Sequence, residues 1–147
     1  MKLLILTQYF PPEIGAPQNR LYELALRLQK NGIDVSVLTA MPNYPQMKIH
    51  ENYKGKCYCK ETLNELKIHR AWIYVSQSKS IISRLLNYFS FVITAFFVGA
   101  FKLKKQDVLM VESPPLFLGI TAYLLAKLKV QNYYLTYQTY GQKVPKN

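Results

Sequence analysis

Leu3-Leu4-Ile5-Leu6-Thr7, a loop over Gln8–Ala16, and then Pro17-Gln18-Asn19-Arg20-Leu21-Tyr22-Glu23-Leu24-Ala25-Leu26-Arg27-Leu28 decide the fold. The first run is short, continuous and apolar, which suits a strand buried on both faces of a parallel sheet. In the second, Leu21, Leu24, Ala25 and Leu28 recur at i, i+3, i+4 and i+7, the stripe of an amphipathic helix. Pro17 fits a first helical turn, where a missing N–H costs nothing, and Asn31-Gly32 is a standard helix stop. Ile33–Thr39 reads as a second strand. Strand, helix and strand within about forty residues make a βαβ unit, which requires parallel strands.

Outward from this unit, Met41–Lys56 is irregular around Pro42 and Pro45. Lys56–Glu61 and Leu66–Val75 are β-rich and alternate in polarity, so a hairpin across Thr62-Leu63-Asn64-Glu65 is expected. Asp107–Glu112 is another strand, ended by Ser113-Pro114-Pro115, and Leu116–Lys129 another helix. There are no internal repeats and no low-complexity segments. The expected fold class is α/β: a Rossmann-like, doubly wound, mostly parallel sheet.

The chain has 147 residues, half of them hydrophobic. That is enough for one domain with a real core, too short for two full-sized ones, and too apolar for disorder. Cys57 and Cys59 are separated by one residue, too close for an ordinary disulfide, and no second Cys/His pair completes a zinc site. They read as free thiols on a strand in a reducing compartment, and no metal site is expected. The first apolar run meets Gln8-Tyr9-Phe10-Pro11-Pro12 rather than a small-residue cleavage site, so no signal peptide is expected. The 19 Lys+Arg against 8 Asp+Glu give +11. Nucleic acid is disfavoured as the partner: there are only four arginines, no Arg/Lys-rich helix and no zinc or RNA-binding signature. An anionic membrane surface or a phosphate-bearing ligand fits this scattered, lysine-rich charge better.

Leu85 through Phe101 carry no charge. As a helix they span roughly 26 Å, just short of a bilayer core. Asn87, Ser90, Thr94 and Gly99 dilute the run; Arg84 flanks one end, and Lys102, Lys104 and Lys105 the other. Three readings stay open: a buried helix of the sheet layer, monotopic insertion at an anionic surface, and a transmembrane span. The last would split the sheet, since Asp107–Glu112 must rejoin Leu3–Thr7. On the monotopic reading Phe91, Phe96, Phe97 and Phe101 face the membrane beside Lys102, Lys104 and Lys105.

A strand, a glycine-containing loop and a helix N-terminus form the place where α/β folds hold phosphates. This loop lacks G-x-G-x-x-G and is long for a dinucleotide turn. Asp34 opens the second strand, whereas a ribose-binding carboxylate belongs at its end. A nicotinamide-dependent dehydrogenase is therefore disfavoured.

The longer string Leu6-Thr7-Gln8-Tyr9-Phe10-Pro11-Pro12-Glu13-Ile14-Gly15-Ala16-Pro17 resembles the opening of bacterial glycosyltransferases of family 4, in the branch of colanic-acid and other envelope-polysaccharide transferases. Asn19-Arg20-Leu21-Tyr22-Glu23-Leu24-Ala25, Val37-Leu38-Thr39, Pro42-Asn43-Tyr44-Pro45, Tyr53-Lys54-Gly55, Arg84-Leu85-Leu86-Asn87-Tyr88 and Ser113-Pro114-Pro115 continue it in order, over about residues 1–129. Met47 departs, standing where the family often has glycine. The resemblance implies the N-terminal, acceptor-side domain of a GT-B enzyme. Such an enzyme transfers a nucleotide-linked sugar, with retention and without a metal, to a lipid-linked or polysaccharide acceptor. It implies no cofactor beyond the nucleotide-sugar substrate, and a location in the cytoplasm at the inner face of the membrane. It places Gly15, Ala16 and Pro17 against the donor phosphate. Glu13, Asn19 and Arg20 border that loop, and Tyr44, Glu112 and Ser113 line the cleft rim. No catalytic residue is assigned within this chain, because the family's catalytic glutamates lie on the donor domain.

After Lys129 the resemblance is expected to stop. Residues 130–147 are polar and tyrosine-rich, unlike the buried strand ending in Asp-Leu-Trp-Pro that the family would supply. A one-base shift across Gln131–Val144 permits Lys-Leu-Leu-Phe-Asp-Val-Ser-Asp-Leu-Trp-Pro-Lys-Ser. One reading is thus a frameshift near Lys129–Gln131 in a full-length transferase gene, leaving a fragment inactive alone or completed by a separately encoded C-terminal domain. The other is a genuine short protein with its own tail. Function also has two readings: the acceptor-side half of a transferase, or a non-catalytic basic module for a membrane surface or a partner.

Overall fold

The computed structural model describes residues 1–113 and 117–137, with the backbone alone described at 113 and 131–137. In chain order the elements are β1 Lys2–Leu6, α1 Ala16–Lys30, β2 Asp34–Ala40, a short 3-10 turn Glu51–Tyr53, β3 Tyr58–Leu63, β4 Leu66–Ala71, α2 Ile81–Lys102, β5 Gln106–Ser113, α3 Leu118–Lys129 and β6 Val130–Tyr137. The sheet runs β3-β4-β2-β1-β5-β6. Every pair is parallel except the β3–β4 hairpin. The hairpin turns on Asn64 and Glu65, both at positive φ, the geometry that matches the twist of paired strands.

Each buried strand feeds two cores because its side chains alternate. Leu3 and Ile5 of β1 point to one face with Val35, Val37, Leu66 and Ile68, covered by Leu21 and Ala25 of α1 and by Phe10. Leu4 and Leu6 point to the other face with Leu38, Leu109 and Val111, covered by Phe91, Ala95 and Val98 of α2 and by Leu118, Ala122 and Leu125 of α3. The two covering helices pack closely at Gly99, where an added Cβ would lie 2.6 Å from a Leu125 methyl. The expected α/β, doubly wound, mostly parallel architecture is what forms.

Two expectations are corrected. Phe91 is fully buried and Phe96 packs half-buried against the same core, so neither belongs to a membrane-facing set. The helix buries Ser83, Asn87, Phe91, Ala95, Val98 and Gly99, and β4 before it and β5 after it lie in one sheet. That makes α2 a helix of the sheet layer, although by length and composition it is apolar enough to cross a membrane. Its opposite face, with Ile82, Leu86, Phe89, Ile93, Phe97 and Phe101, is exposed. The second correction concerns Val130–Tyr137, read as foreign to the sheet. It pairs in parallel with β5 from Gln106↔Val130 to Ser113↔Tyr137, and polarity is no bar to a strand at a sheet edge. The remainder of that segment, 138–147, lies outside the described residues, as do Pro114 and Pro115.

His69 on β4 is buried, with its Nδ1 2.8 Å from the Tyr58 hydroxyl and the two rings stacked. Burial, and then Lys60 and Lys67, hold it down at about 4 from an ordinary 6.5. Between these values the unfolded chain binds the extra proton, so this residue's contribution is complete above pH 6.5 and is lost as the pH falls towards 4. At full loss it amounts to about 3 kcal/mol. Urea unfolding at pH 7 and pH 4.5 checks this: the gap between the two stabilities should narrow in His69→Gln.

Candidate functional site

From β1 the chain steps outward to β2 and β4 on one side; α2 then carries it across to β5 and β6 on the other. The order therefore reverses between β1 and β5. In open α/β sheets the crevice at the carboxyl ends of such strands is the ligand site. A cavity of about 370 Å³ lies there. Thr7, Gln8 and Tyr9 enter it from the end of β1, Gly15, Ala16, Pro17 and Gln18 from the start of α1, Tyr44 from the loop after β2, and Glu112 from the end of β5.

The loop that forms one wall is held from beneath. Glu13 is buried, and its carboxylate accepts from three backbone N–H groups: Phe10 at 3.2 Å, Asn43 at 2.8 Å and Tyr44 at 2.9 Å. It thereby ties the β1–α1 loop to the loop after β2. Burial pushes its acid up, against the lowering effect of those N–H groups and of Arg70. Arg70 of β4, also fully buried, donates to Glu61, to the Ala40 carbonyl and to the Pro11 carbonyl. Tyr44 stands half-open at the rim, edge-on to Tyr9 at 5.8 Å. Met47, in the same loop, has φ +51, the left-handed backbone that favours glycine, so the departure from the family residue keeps a glycine-like shape.

Two unlike surfaces meet in the cavity. The first is the amino end of α1, whose first turn carries no acidic residue and no side-chain cap. Its free N–H groups and the helix dipole favour an anion. The second is a set of polar side chains, Thr7, Gln8, Gln18 and Glu112. Asn87 of α2 donates its amide to the Tyr74 carbonyl at 2.6 Å, so its oxygen must face Gln8, whose Nε2 donates to it at 3.0 Å. That chain fixes the Gln8 amide and leaves its Oε1 buried without a protein partner. Gln18 Oε1 is likewise buried and unpartnered. Glu112 completes the set; burial raises its acid, opposed by the charge of Arg20 and by the Thr7 hydroxyl. A ligand with an anionic group and several hydroxyls matches both surfaces.

Of the residues expected from sequence, Gly15, Ala16, Pro17, Tyr44 and Glu112 line this cavity. Glu13 lies buried under the loop, Asn19 and Arg20 are exposed on the first turns of α1, and the Ser113 side chain is outside the described residues. Thr7, Gln8 and Gln18 were not singled out. Their signal is polarity at the end of a buried parallel strand and in the following first helical turn. Asn87 was visible only as a dilution of the apolar run. Among the described residues no three His, Cys, Asp or Glu side chains gather to hold a metal.

Gly15 has an extended backbone, so its small size and not its φ matters: an added Cβ would lie 2.2 Å from Gln18 Oε1. Gly15→Ala should displace the Gln18 amide from the wall, cost the fold no more than about 1 kcal/mol, and shift the Gln18 side-chain NH₂ resonances.

No family model matches the chain. It is 33% identical, over 141 residues, to the putative colanic acid biosynthesis glycosyl transferase WcaI of Escherichia coli strain K12. The resemblance to glycosyltransferases holds. The match takes in 95% of this chain, so it runs past Lys129, where the sequence reading ended it. The chain spans about a third of that relative's length, 34%. Among solved structures, the catalytic domain of starch synthase IV from Arabidopsis thaliana, bound to ADP and acarbose, matches with a TM-score of 0.60. Identity is 13%, over 92% of this chain and 33% of that one. The C-terminal domain of the PF1911 hydrogenase from Pyrococcus furiosus matches at 0.57 and 13%, over 91% and 89% of the two chains. At such identities both share the fold and nothing more. That a hydrogenase domain shares it leaves function to be argued from the cavity.

Proposed function

We propose that this domain is the acceptor-side half of a retaining, GT-B-type sugar transfer from a nucleotide-sugar donor to a lipid-linked or polysaccharide acceptor in cell-envelope polysaccharide synthesis. The observation that carries the reading is the meeting of a positive helix end with the polar side chains of Thr7, Gln8, Gln18 and Glu112 around one cavity. The helix end suits the diphosphate whose charge grows as the donor bond breaks. Those polar side chains suit sugar hydroxyls. Glu13 and Arg70 act at one remove, holding the loop in place. A donor-binding domain closes the other side of the cleft, in the same polypeptide or as a separate chain. The domain works on the cytoplasmic side, peripheral to the inner face of the cell membrane.

Titrating the ¹⁵N-labelled chain with a nucleoside diphosphate tests this. The backbone amides of Ala16 and Gln18 and the Gln8 side-chain amide should shift together. Shifts confined elsewhere, or none at millimolar ligand, would sink the reading. The alternative, a non-catalytic membrane-surface module, is favoured by one observation, the exposed apolar face of α2.

A further inference from the structure

From Leu66 to Gln106, and again from Ser113 onward, the sequence holds no acidic residue. Both helices on one side of the sheet fall in these stretches. Phe89, Ile93, Phe97 and Phe101 follow one another at four-residue steps on the outer face of α2, all exposed. The Phe97 and Phe101 rings stack in parallel, 6.2 Å apart. Ile120, Leu124 and Leu128 make a matching exposed row on α3. Phe89 and Phe117, 4.7 Å apart, join the two rows into one surface. Soluble domains seldom leave so continuous an apolar area open. Its charged neighbours are all positive and exposed: Lys79 and Arg84 at one end of α2, Lys102, Lys104 and Lys105 at the other, and Lys127 on α3.

We infer that this two-helix face docks on the surface of an anionic lipid bilayer, seating its aromatic and aliphatic rows at the boundary between headgroups and acyl chains while the lysines meet the headgroups. An apolar face alone would fit another protein equally well. The choice of lipid rests on charge: a surface with cations at both ends and no acid complements a negative membrane and repels a second copy of itself. The amino-terminal end of α2 also lies next to the cavity. Asn87, on the inner side of the same helix, is the residue that holds Gln8. The inference deepens the peripheral setting proposed above and rests on it for nothing else, since nucleotide binding at the cavity is tested separately.

Co-sedimentation with vesicles tests it, using phosphatidylcholine alone or with about a third phosphatidylglycerol. The full chain should sediment with the anionic vesicles, and much less at about 1 M salt. The double variants Phe97→Ser/Phe101→Ser and Lys104→Glu/Lys105→Glu should each weaken partitioning at least about tenfold. Leu24→Ser, which removes an exposed leucine from α1 on the far side of the sheet, should change nothing. All four positions in the double variants are solvent-exposed, so circular dichroism and the unfolding midpoint should match the parent. Equal binding to neutral vesicles, or unchanged binding by either double variant, overturns the inference. So does a dimer in sedimentation velocity that Phe97→Ser/Phe101→Ser dissolves while vesicles bind nothing.

Discussion

Arg70→Met lowers the stability of the fold by about 3–5 kcal/mol, the loss expected when one member of a buried ionic network is removed. Methionine replaces most of the aliphatic volume, so the loss is not a packing effect. What disappears is a set of donors spread over three segments: Glu61 on the hairpin strand β3, the Ala40 carbonyl at the end of β2 and the Pro11 carbonyl in the cavity loop. The guanidinium also lies 5.3 Å over the Tyr53 ring. Glu61 keeps the Tyr53 hydroxyl and is partly open to water, which places the loss nearer 3 than 5. Arg70→Lys should not rescue it, because one ammonium cannot reach three acceptors on separate segments. Urea unfolding measures the change. A loss under about 1 kcal/mol would mean that the network contributes little beyond what water could supply.

Phe91→Ala and Phe97→Ala should differ by nearly as much. Phe91 is fully buried against the sheet, so truncation leaves a cavity and costs about 3–5 kcal/mol. Phe97 is half exposed on the same helix, and its truncation should stay within about 0.5 kcal/mol. Denaturant unfolding of the pair reads the orientation of α2 directly. The reverse order would turn the helix over and remove the membrane face with it.

The opening βαβ unit was legible because its polar and apolar residues alternate at different periods. Four aliphatics in a row, ended by a loop that holds prolines and a glycine, suit a short strand buried on both faces, and Leu21, Leu24, Ala25 and Leu28 make a helical stripe. The site was half legible. Strand, glycine loop and helix point to the crevice, and the resemblance named Gly15, Tyr44 and Glu112. Gln8 and Gln18 escaped because amides look ordinary until burial removes their partners. In α2 the sequence carries no period to read: almost every position from Leu85 to Phe101 is apolar, so nothing distinguishes Phe91 from Phe97. Only the small residues Ala95 and Gly99, where the neighbouring elements come close, mark the inner side. Arg70 and His69 were invisible as core residues because isolated charges on a strand usually face water. The edge strand Val130–Tyr137 was missed for the opposite reason: an outermost strand need not be apolar.

The strand order has a consequence for biosynthesis. β1 precedes the other described strands in the chain, yet it occupies the middle of the sheet. One neighbour, β2, follows at once, while the other, β5, begins at Gln106, and the Lys2 N–H waits for the Asp107 carboxylate 105 residues on. At ordinary elongation rates the nascent chain holds one side of its central strand open for on the order of ten seconds. The molecule thus closes its sheet late, and a hydrophobic edge is on display to chaperones throughout that interval.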